Sequence, residues 1–284
     1  MIRMNVEEKI RLQQFAIDIR KQIIREMGSL GAGHLGGNLS IADIVAVLYG
    51  SEMKYDPADP KMKDRDILIC SKGHAGPCLY GALALKGFIP MERLDTLNRG
   101  GTELPSHCDR LHVPGIEMTT GSLGQGFSAA CGMALAAHLD EDGRTVYCII
   151  GDGESQEGQI WEAVLFAAQQ KLDNLILFVD YNKAQLDGWT RDICDMGDYV
   201  DKFHAFGWHT AEIDGHDVEA IKTAVDAAKA DHTGRPHVIV CNTIKGYGVS
   251  FTKPNACHHV NFTPELVEQC QKELDDARAA LTEK

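Results

Sequence analysis

The pattern of apolar and polar positions along the chain changes period repeatedly. Short runs that are apolar almost throughout have the length of strands: DILIC (66–70), TVYCII (145–150), NLILFVD (174–180), WHTAEI (208–213) and HVIVCNTI (237–244). Between them the pattern predicts helices over 125–139, 157–171, 197–206 and 216–230, the last with apolar residues at 218, 221, 225 and 228. One helix near 5–27 precedes the series. Another opens at Thr263-Pro264-Glu265, where Thr suits the cap and Pro the first turn. Strands apolar on both faces, with helices between them, predict an α/β fold: a doubly wound, mostly parallel sheet flanked by helices. No Pro/Ser-rich linker, repeat or low-complexity tract interrupts the pattern, so a single domain over 1–284 is expected. The C-terminal helix carries Glu273, Asp275, Asp276 and Arg278 and reads as a solvated surface.

Composition narrows the function classes. A hydrophobic content of 44% supports a sizeable core, while a net charge of −13 argues against a nucleic-acid partner, which needs a basic face. Every apolar run is too short to cross a bilayer, and MIRMNVEEKIRLQQ reads as a polar helix rather than a signal sequence, so no membrane association and a cytoplasmic location are expected. Nine cysteines, scattered singly with no C-x-x-C pair, read as reduced and mostly buried thiols. Cys257-His258-His259 lacks further ligands at zinc-finger spacing and is not read as a metal site.

Three glycine-rich loops interrupt the periodic segments: GSLGAGHLGG (28–37), SKGHAG (71–76) and TTGSLGQG (119–126). Such loops bring backbone amides close to an anion, although ordinary turns use the same residues. None is a convincing G-x-G-x-x-G following a strand, which argues against a nicotinamide-dependent dehydrogenase. More specific is the segment from Thr145 to Gly188, which parses as strand, Gly-Asp-Gly turn, helix, strand and a turn holding Asn182. A right-handed β-α-β crossover brings the ends of its two strands to one edge of the sheet, so Asp152 and Asn182 should lie close together. That edge is where open α/β sheets bind ligands. Asp152, the Asn182 amide and a nearby carbonyl, that of Ala184, offer oxygen ligands to a small divalent cation and leave positions for phosphate oxygens.

Residues 154–181 separate Gly153 from Asn182, the spacing of the thiamine-diphosphate signature. With GAGHLGG, SKGHA, TTGSLGQG, GDGESQEG, DYNKAQLDG, FHAFGW, EIDGHD and TIKGYG in order, the chain resembles the N-terminal, diphosphate-binding half of transketolase over nearly its whole length. The early His-containing loops separate it from the α subunits of 2-oxoacid dehydrogenases. The resemblance implies the thiamine diphosphate-binding fold, with Mg²⁺ (or Ca²⁺ or Mn²⁺) held by Asp152, Asn182 and the Ala184 carbonyl. It implies cofactor contacts from Gly37, His74, Gly153 and the Gly121-Ser122-Leu123 loop, and diphosphate neutralisation by Lys245. His34, His74 and His107 match the family's substrate-channel histidines, although SHCDR stands where Gly-His-Pro is usual. A fourth histidine, serving diphosphate and substrate, falls on His259 by an ungapped count from Lys245, with His258 as the other candidate. Glu157 and Glu162 resemble acids of a proton network near the subunit interface, and a plain helix places such a pair too.

Family members draw the activating glutamate and the aromatic pyrimidine pocket from a second domain, which this sequence does not contain. The expectation is therefore a split enzyme in an α₂β₂ assembly, with the pyrimidine-binding and C-terminal domains on a separate chain. Together they would transfer a two-carbon ketol unit from a ketose to an aldose. The alternatives are another thiamine-dependent carboligation, such as deoxyxylulose-phosphate synthesis, and a non-catalytic thiamine diphosphate-binding subunit. The sugar, whether phosphorylated, sulfonated or other, is left open.

Overall fold

A computed structural model of the chain describes residues 4–282; the first three residues of the polar N-terminal stretch and the last two of the chain lie outside the described residues. In chain order the elements are α1 (Val6–Leu30), β1 (Ala32–His34), α2 (Gly36–Leu39), α3 (Ala42–Val47), β2 (Ile67–Cys70), α4 (Gly76–Leu85), α5 (Gln125–Asp140), β3 (Val146–Gly151), α6 (Gly158–Gln169), β4 (Leu175–Tyr181), β5 (Ala184–Gln185), β6 (Gly188–Trp189), α7 (Thr190–Ile193), α8 (Tyr199–Ala205), β7 (His209–Asp214), α9 (Val218–Lys229), β8 (His237–Asn242), β9 (His259–Asn261) and α10 (Pro264–Ala280).

Five strands form one wholly parallel sheet in the order β2-β3-β4-β8-β7. Alternation along the strands sorts side chains into two apolar layers, as the pleat requires. Tyr147, Ile149, Ile176, Phe178 and Ile239 pack beneath α1, α3, α4 and α9. Cys148, Ile150, Leu177, Val179 and Val240 pack against α5, α6 and α8 on the other face. The sheet is therefore covered on both sides, as the unbroken apolar runs predict. Only the edge strand β7 is partly exposed along its length.

Two features depart from the sequence reading. The helices over 36–47 and 76–85 have no counterpart in it. Almost every residue in them is buried, the polar Asn38, Ser40 and Asp43 included, so no amphipathic period marks them as helices. The charged helix α10 is also not simply solvated. It packs along α1 through Cys270 and Leu274, and its charges find partners there, Asp275 with Lys21 and Arg278 Nε with Asp18 Oδ1 at 2.9 Å.

Two small pairings decorate the carboxyl edge of the sheet. β1 and β9 are antiparallel, with His34 opposite His259, and β5 and β6 form a hairpin with Ala184 opposite Trp189. Phe178 sits at the centre of the sheet with no exposed surface. Replacing it with Ala should cost roughly 3–5 kcal/mol of stability. Urea unfolding of the Phe178→Ala variant checks this; a loss below about 1 kcal/mol would contradict the two-layer packing.

Candidate active site at the carboxyl edge of the sheet

Parallel register brings the ends of β3, β4 and β8 level, with Gly151 opposite Asp180 and Tyr181 opposite Asn242. The chain then turns across this edge on each strand. Asp152 is buried; its Oδ1 accepts from the Gly153 N–H at 2.7 Å and its Oδ2 from the Lys183 N–H. The second contact spans the β-α-β unit, so Asp152 and the Asn182 turn are neighbours. Asn182 Oδ1 accepts from the Ala184 N–H at 3.1 Å, and Lys245 Nζ donates to the carbonyls of Ala184 (2.9 Å) and Gln185 (3.2 Å). Asp152, Gly153, Asn182, Ala184 and Lys245 line one cavity of about 370 Å³. Burial pushes Asp152 up to about 7, and the nearby Asp180 carboxylate adds to the shift; a cation beside it would oppose both effects.

The donor set is chemically suited to a hard cation: one carboxylate, one amide oxygen and one backbone carbonyl. Among the described residues no three His, Cys, Asp or Glu side chains converge as a metal cage. A site built on a single carboxylate would not form one.

Sequence reasoning missed the buried residues that hold these loops in place. Glu154, only 3% exposed, accepts from Ser71 Oγ at 2.5 Å, the Gly124 N–H at 2.9 Å and the Gly151 N–H at 3.0 Å. It thereby clamps all three of the loops that carry SKGH, GSLG and GDG. Burial raises its pKa, and these donors work against the rise. Ser71 also accepts from the Phe127 N–H at 3.1 Å, which pulls the start of α5 against it. A Cβ on Gly126 would lie 2.7 Å from Ser71 Cα, so this approach requires glycine. On the other side, Asp180 accepts from Lys72 Nζ at 2.6 Å, Ser40 Oγ at 2.7 Å and Asn182 Nδ2 at 2.8 Å, and from Thr243 Oγ1. The signal lay in the sequence, as Asp180 two residues before Asn182 and Glu154 just after the Gly-Asp-Gly turn. Spacing alone does not show what a buried acid touches.

Five imidazoles gather at the mouth of the cavity. The His34 ring lies 5.4 Å from His74, 5.5 Å from His107, 5.3 Å from His258 and 5.4 Å from His259, centroid to centroid. Burial, reinforced by His107, His259 and Lys245, lowers His34 to about 4. His258 falls to about 3 through burial and then Lys245. Burial also holds His74 well below its usual value and lowers His107. These four rings are neutral at pH 7 and line the cavity. Nδ1 of His258 is shielded from solvent and has no hydrogen-bond partner among the described residues.

The ungapped count favours His259, but the geometry separates the two candidates differently. His258 lies on the cavity wall against His34 and His74, whereas His259 is exposed and touches His34 from outside the lining. Successive residues entering a strand point to opposite sides, so only one of an adjacent pair can face the cavity. Gly37, Gly121 and Leu123 lie on the wall, and Ser122 is exposed and off it. Glu157 is exposed at the rim. Glu162 is exposed on α6 and does not reach the cavity.

Residues 12–277 match the family model described as the transketolase thiamine diphosphate-binding domain. The chain belongs to the transketolase family. It is 54% identical over 270 residues to a protein named 6-deoxy-6-sulfo-D-fructose transketolase subunit SqwG from Clostridium sp. (strain MSTE9), covering 95% of this chain and 98% of that protein. Identity to an apulose-4-phosphate transketolase subunit from Actinobacillus succinogenes is 39%, over 90% of this chain and 93% of that one. The crystal structure of transketolase from Campylobacter jejuni superposes with a TM-score of 0.87 at 29% identity, covering 98% of this chain but 46% of that one. The chain thus spans about half the length of the solved transketolases that it matches, and nearly all of the two relatives named as subunits. Transketolases are transferases, and the subunit names fit dependence on a partner chain.

Because folding lowers the imidazole pKa values below the unfolded value of about 6.5, the unfolded chain binds more protons across that interval. Stability should therefore be fully present above about pH 6.5 and fall as the pH drops toward the folded values near 3 and 4. Thermal melts from pH 8 to pH 4 check this, with His258→Asn expected to flatten the profile. An unchanged slope in that variant would show that His258 is not held neutral by the fold.

Proposed function

We propose that this chain is the diphosphate-binding subunit of a split transketolase, which moves a two-carbon ketol (glycolaldehyde) unit from a ketose to an aldose. The observation that carries the reading is a single cavity in which Asp152, Asn182, Ala184 and Lys245 stand beside four neutral imidazoles. Asp152, the Asn182 amide oxygen and the Ala184 carbonyl would hold Mg²⁺, with Ca²⁺ or Mn²⁺ able to replace it. Lys245 would meet the diphosphate, and the Gly121–Leu123 loop before α5 would turn the positive end of that helix toward it. A side chain at Gly37 would meet His74 Nε2 at 3.4 Å and Lys72 Nζ at 3.5 Å, so its absence keeps that wall open.

Thiamine diphosphate, when bound, supplies the nucleophilic carbon that carries the transferred unit. The chain's own part is to hold the sugar and move its protons. His34, His74, His107 and His258 are neutral, so each both donates to and accepts from sugar hydroxyls. When the carbon–carbon bond of the ketose breaks, the hydroxyl proton passes to an imidazole nitrogen. It returns to the carbonyl oxygen of the acceptor aldose as the new bond forms. His259, flanking His34, tunes this set from outside the wall.

A partner chain carrying the pyrimidine-binding and C-terminal domains completes the site in an α₂β₂ assembly, with residues 1–284 acting as one diphosphate-binding domain. Supporting this, α5 and α6 pack together yet leave Leu139, Leu165 and Phe166 exposed, with Leu123 and Leu186 also exposed at the cavity rim. Such apolar surface fits a partner. Glu157 stands at the start of α6 and Glu162 along it, both exposed. The location proposed is the cytoplasm, supported by nine free cysteines of which only Cys194 is exposed. Among the described residues no helix is long and apolar enough to cross a membrane. The donor proposed is a ketose with a terminal anion, since the two subunit relatives are named for a sulfonated and a phosphorylated sugar.

The direct test mixes the chain with its partner, Mg²⁺, thiamine diphosphate and 6-deoxy-6-sulfofructose or a ketose phosphate, and follows two-carbon transfer to an aldose. Transfer is expected only with both chains present and should be abolished by Asp152→Ala; no turnover with any ketose would sink the reading. A second measurement addresses assembly. Leu165→Glu should weaken association with the partner at least about tenfold while shifting stability by no more than about 0.5 kcal/mol. Unchanged association by analytical ultracentrifugation would remove α6 from the interface.

A further inference from the structure

The Asn182 side chain offers two chemically opposite ends, and a cation site can use only the oxygen. An amide turned the wrong way would present its NH₂ group to the cation. Both ends are fixed. Nδ2 donates to Asp180 Oδ2 at 2.8 Å, and Oδ1 accepts from the Ala184 N–H at 3.1 Å. A carboxylate paired with an ammonium has only lone pairs to offer, so just the NH₂ end can face Asp180. The Ala184 amide alone is a weaker guide, because it moves with the turn that it belongs to.

We propose that Asp180 is a positioning residue that sets the Asn182 amide, turning its oxygen toward the cation and its nitrogen away. The inference rests on the metal–diphosphate reading above and assigns a role to a residue outside the ligand set. Asp180 is itself immobile. It has no exposed surface, its Oδ2 also accepts from Lys72 Nζ and Ser40 Oγ, and its Oδ1 is taken by Thr243 Oγ1. Lys72 Nζ gives a further hydrogen bond to the Gly37 carbonyl at 2.7 Å, which carries the same order into the GHLGG loop. An orienting carboxylate behind a ligand is a common way to tune a metal site, and losing one costs about 10–100-fold in metal affinity.

The test uses the chain assembled with its partner, with thiamine diphosphate and Mn²⁺ as the probe, free Mn²⁺ being read by electron paramagnetic resonance. Asp180→Leu alone would strand the buried Lys72 charge and risk unfolding, so it is combined with Lys72→Met. That pair of changes leaves the net charge unaltered and removes every side-chain acceptor at position 180. Near-ultraviolet circular dichroism checks that the double variant is folded. Expected is a loss of Mn²⁺ affinity of about 10–100-fold. The same pair introduced into an Asn182→Asp background should cost less than about threefold, because a carboxylate presents oxygen whichever way it turns. Equal losses in the two backgrounds would make Asp180 merely structural and overturn the proposal, as would unchanged affinity in the first. Failure of the unaltered chain to retain Mn²⁺ would instead overturn the metal–diphosphate reading itself.

Discussion

Lys72 and Asp180 meet at 2.6 Å with 2% and 0% of their side chains exposed. Taking both charges out of water costs several kcal/mol each unless geometry and further hydrogen bonds offset it. Here they do: Asp180 has four donors, and Lys72 reaches both the carboxylate and the Gly37 carbonyl. Burial disfavours the Asp180 charge, yet Lys72 and the hydroxyls outweigh it and hold the pKa below the usual range. The neighbouring residue Ser71 turns the opposite way, to Glu154. The loop after β2 is thus gripped on both sides, and His74 follows two residues later. Loosening either grip would move an imidazole, a glycine-rich loop and the strand end that leads to Asn182 together.

The sheet itself is plain in the sequence because a parallel sheet covered on both faces imposes a simple rule. From Leu175 to Val179 every residue of NLILFVD is apolar, and the apolar run ends at Asp180, which is itself buried. Each expected strand and each amphipathic helix forms. What escapes is structure whose pattern carries no period. GPCLYGALAL is buried on all sides, so its helix looks like any apolar run. α10 misleads in the opposite sense, since its charged surface reads as solvated while Asp275 and Arg278 are partnered by α1.

In the candidate site, residues written into motifs are legible and those defined by contact are not. Asp152, Asn182 and Ala184 follow from strand ends and turn spacing, and His34, His74 and Lys245 sit inside glycine-rich loops. Glu154 and Asp180 look like ordinary acids beside such motifs; their role exists only once several loops converge on each. The His258–His259 pair shows the limit of counting. An ungapped count fixes a position along the chain, but the side facing the cavity depends on how β9 pairs with β1, at the far end of the sequence.

A chain with a net charge of −13 looks a poor host for a diphosphate, but the charges that matter are those left over within the cavity. Lys72 is satisfied by Asp180, and Glu154 by one hydroxyl and two backbone amides. Among the buried charged groups on the wall, that leaves Asp152 and Lys245. The first is held only by backbone amides, and the second rests on two backbone carbonyls. One carboxyl group and one ammonium group, both buried and neither hydrogen-bonded to a charged side chain, suit a bound species that is itself an ion pair. A divalent cation chelated by a diphosphate is such a species, and its cation would meet Asp152 while its anionic oxygens meet Lys245.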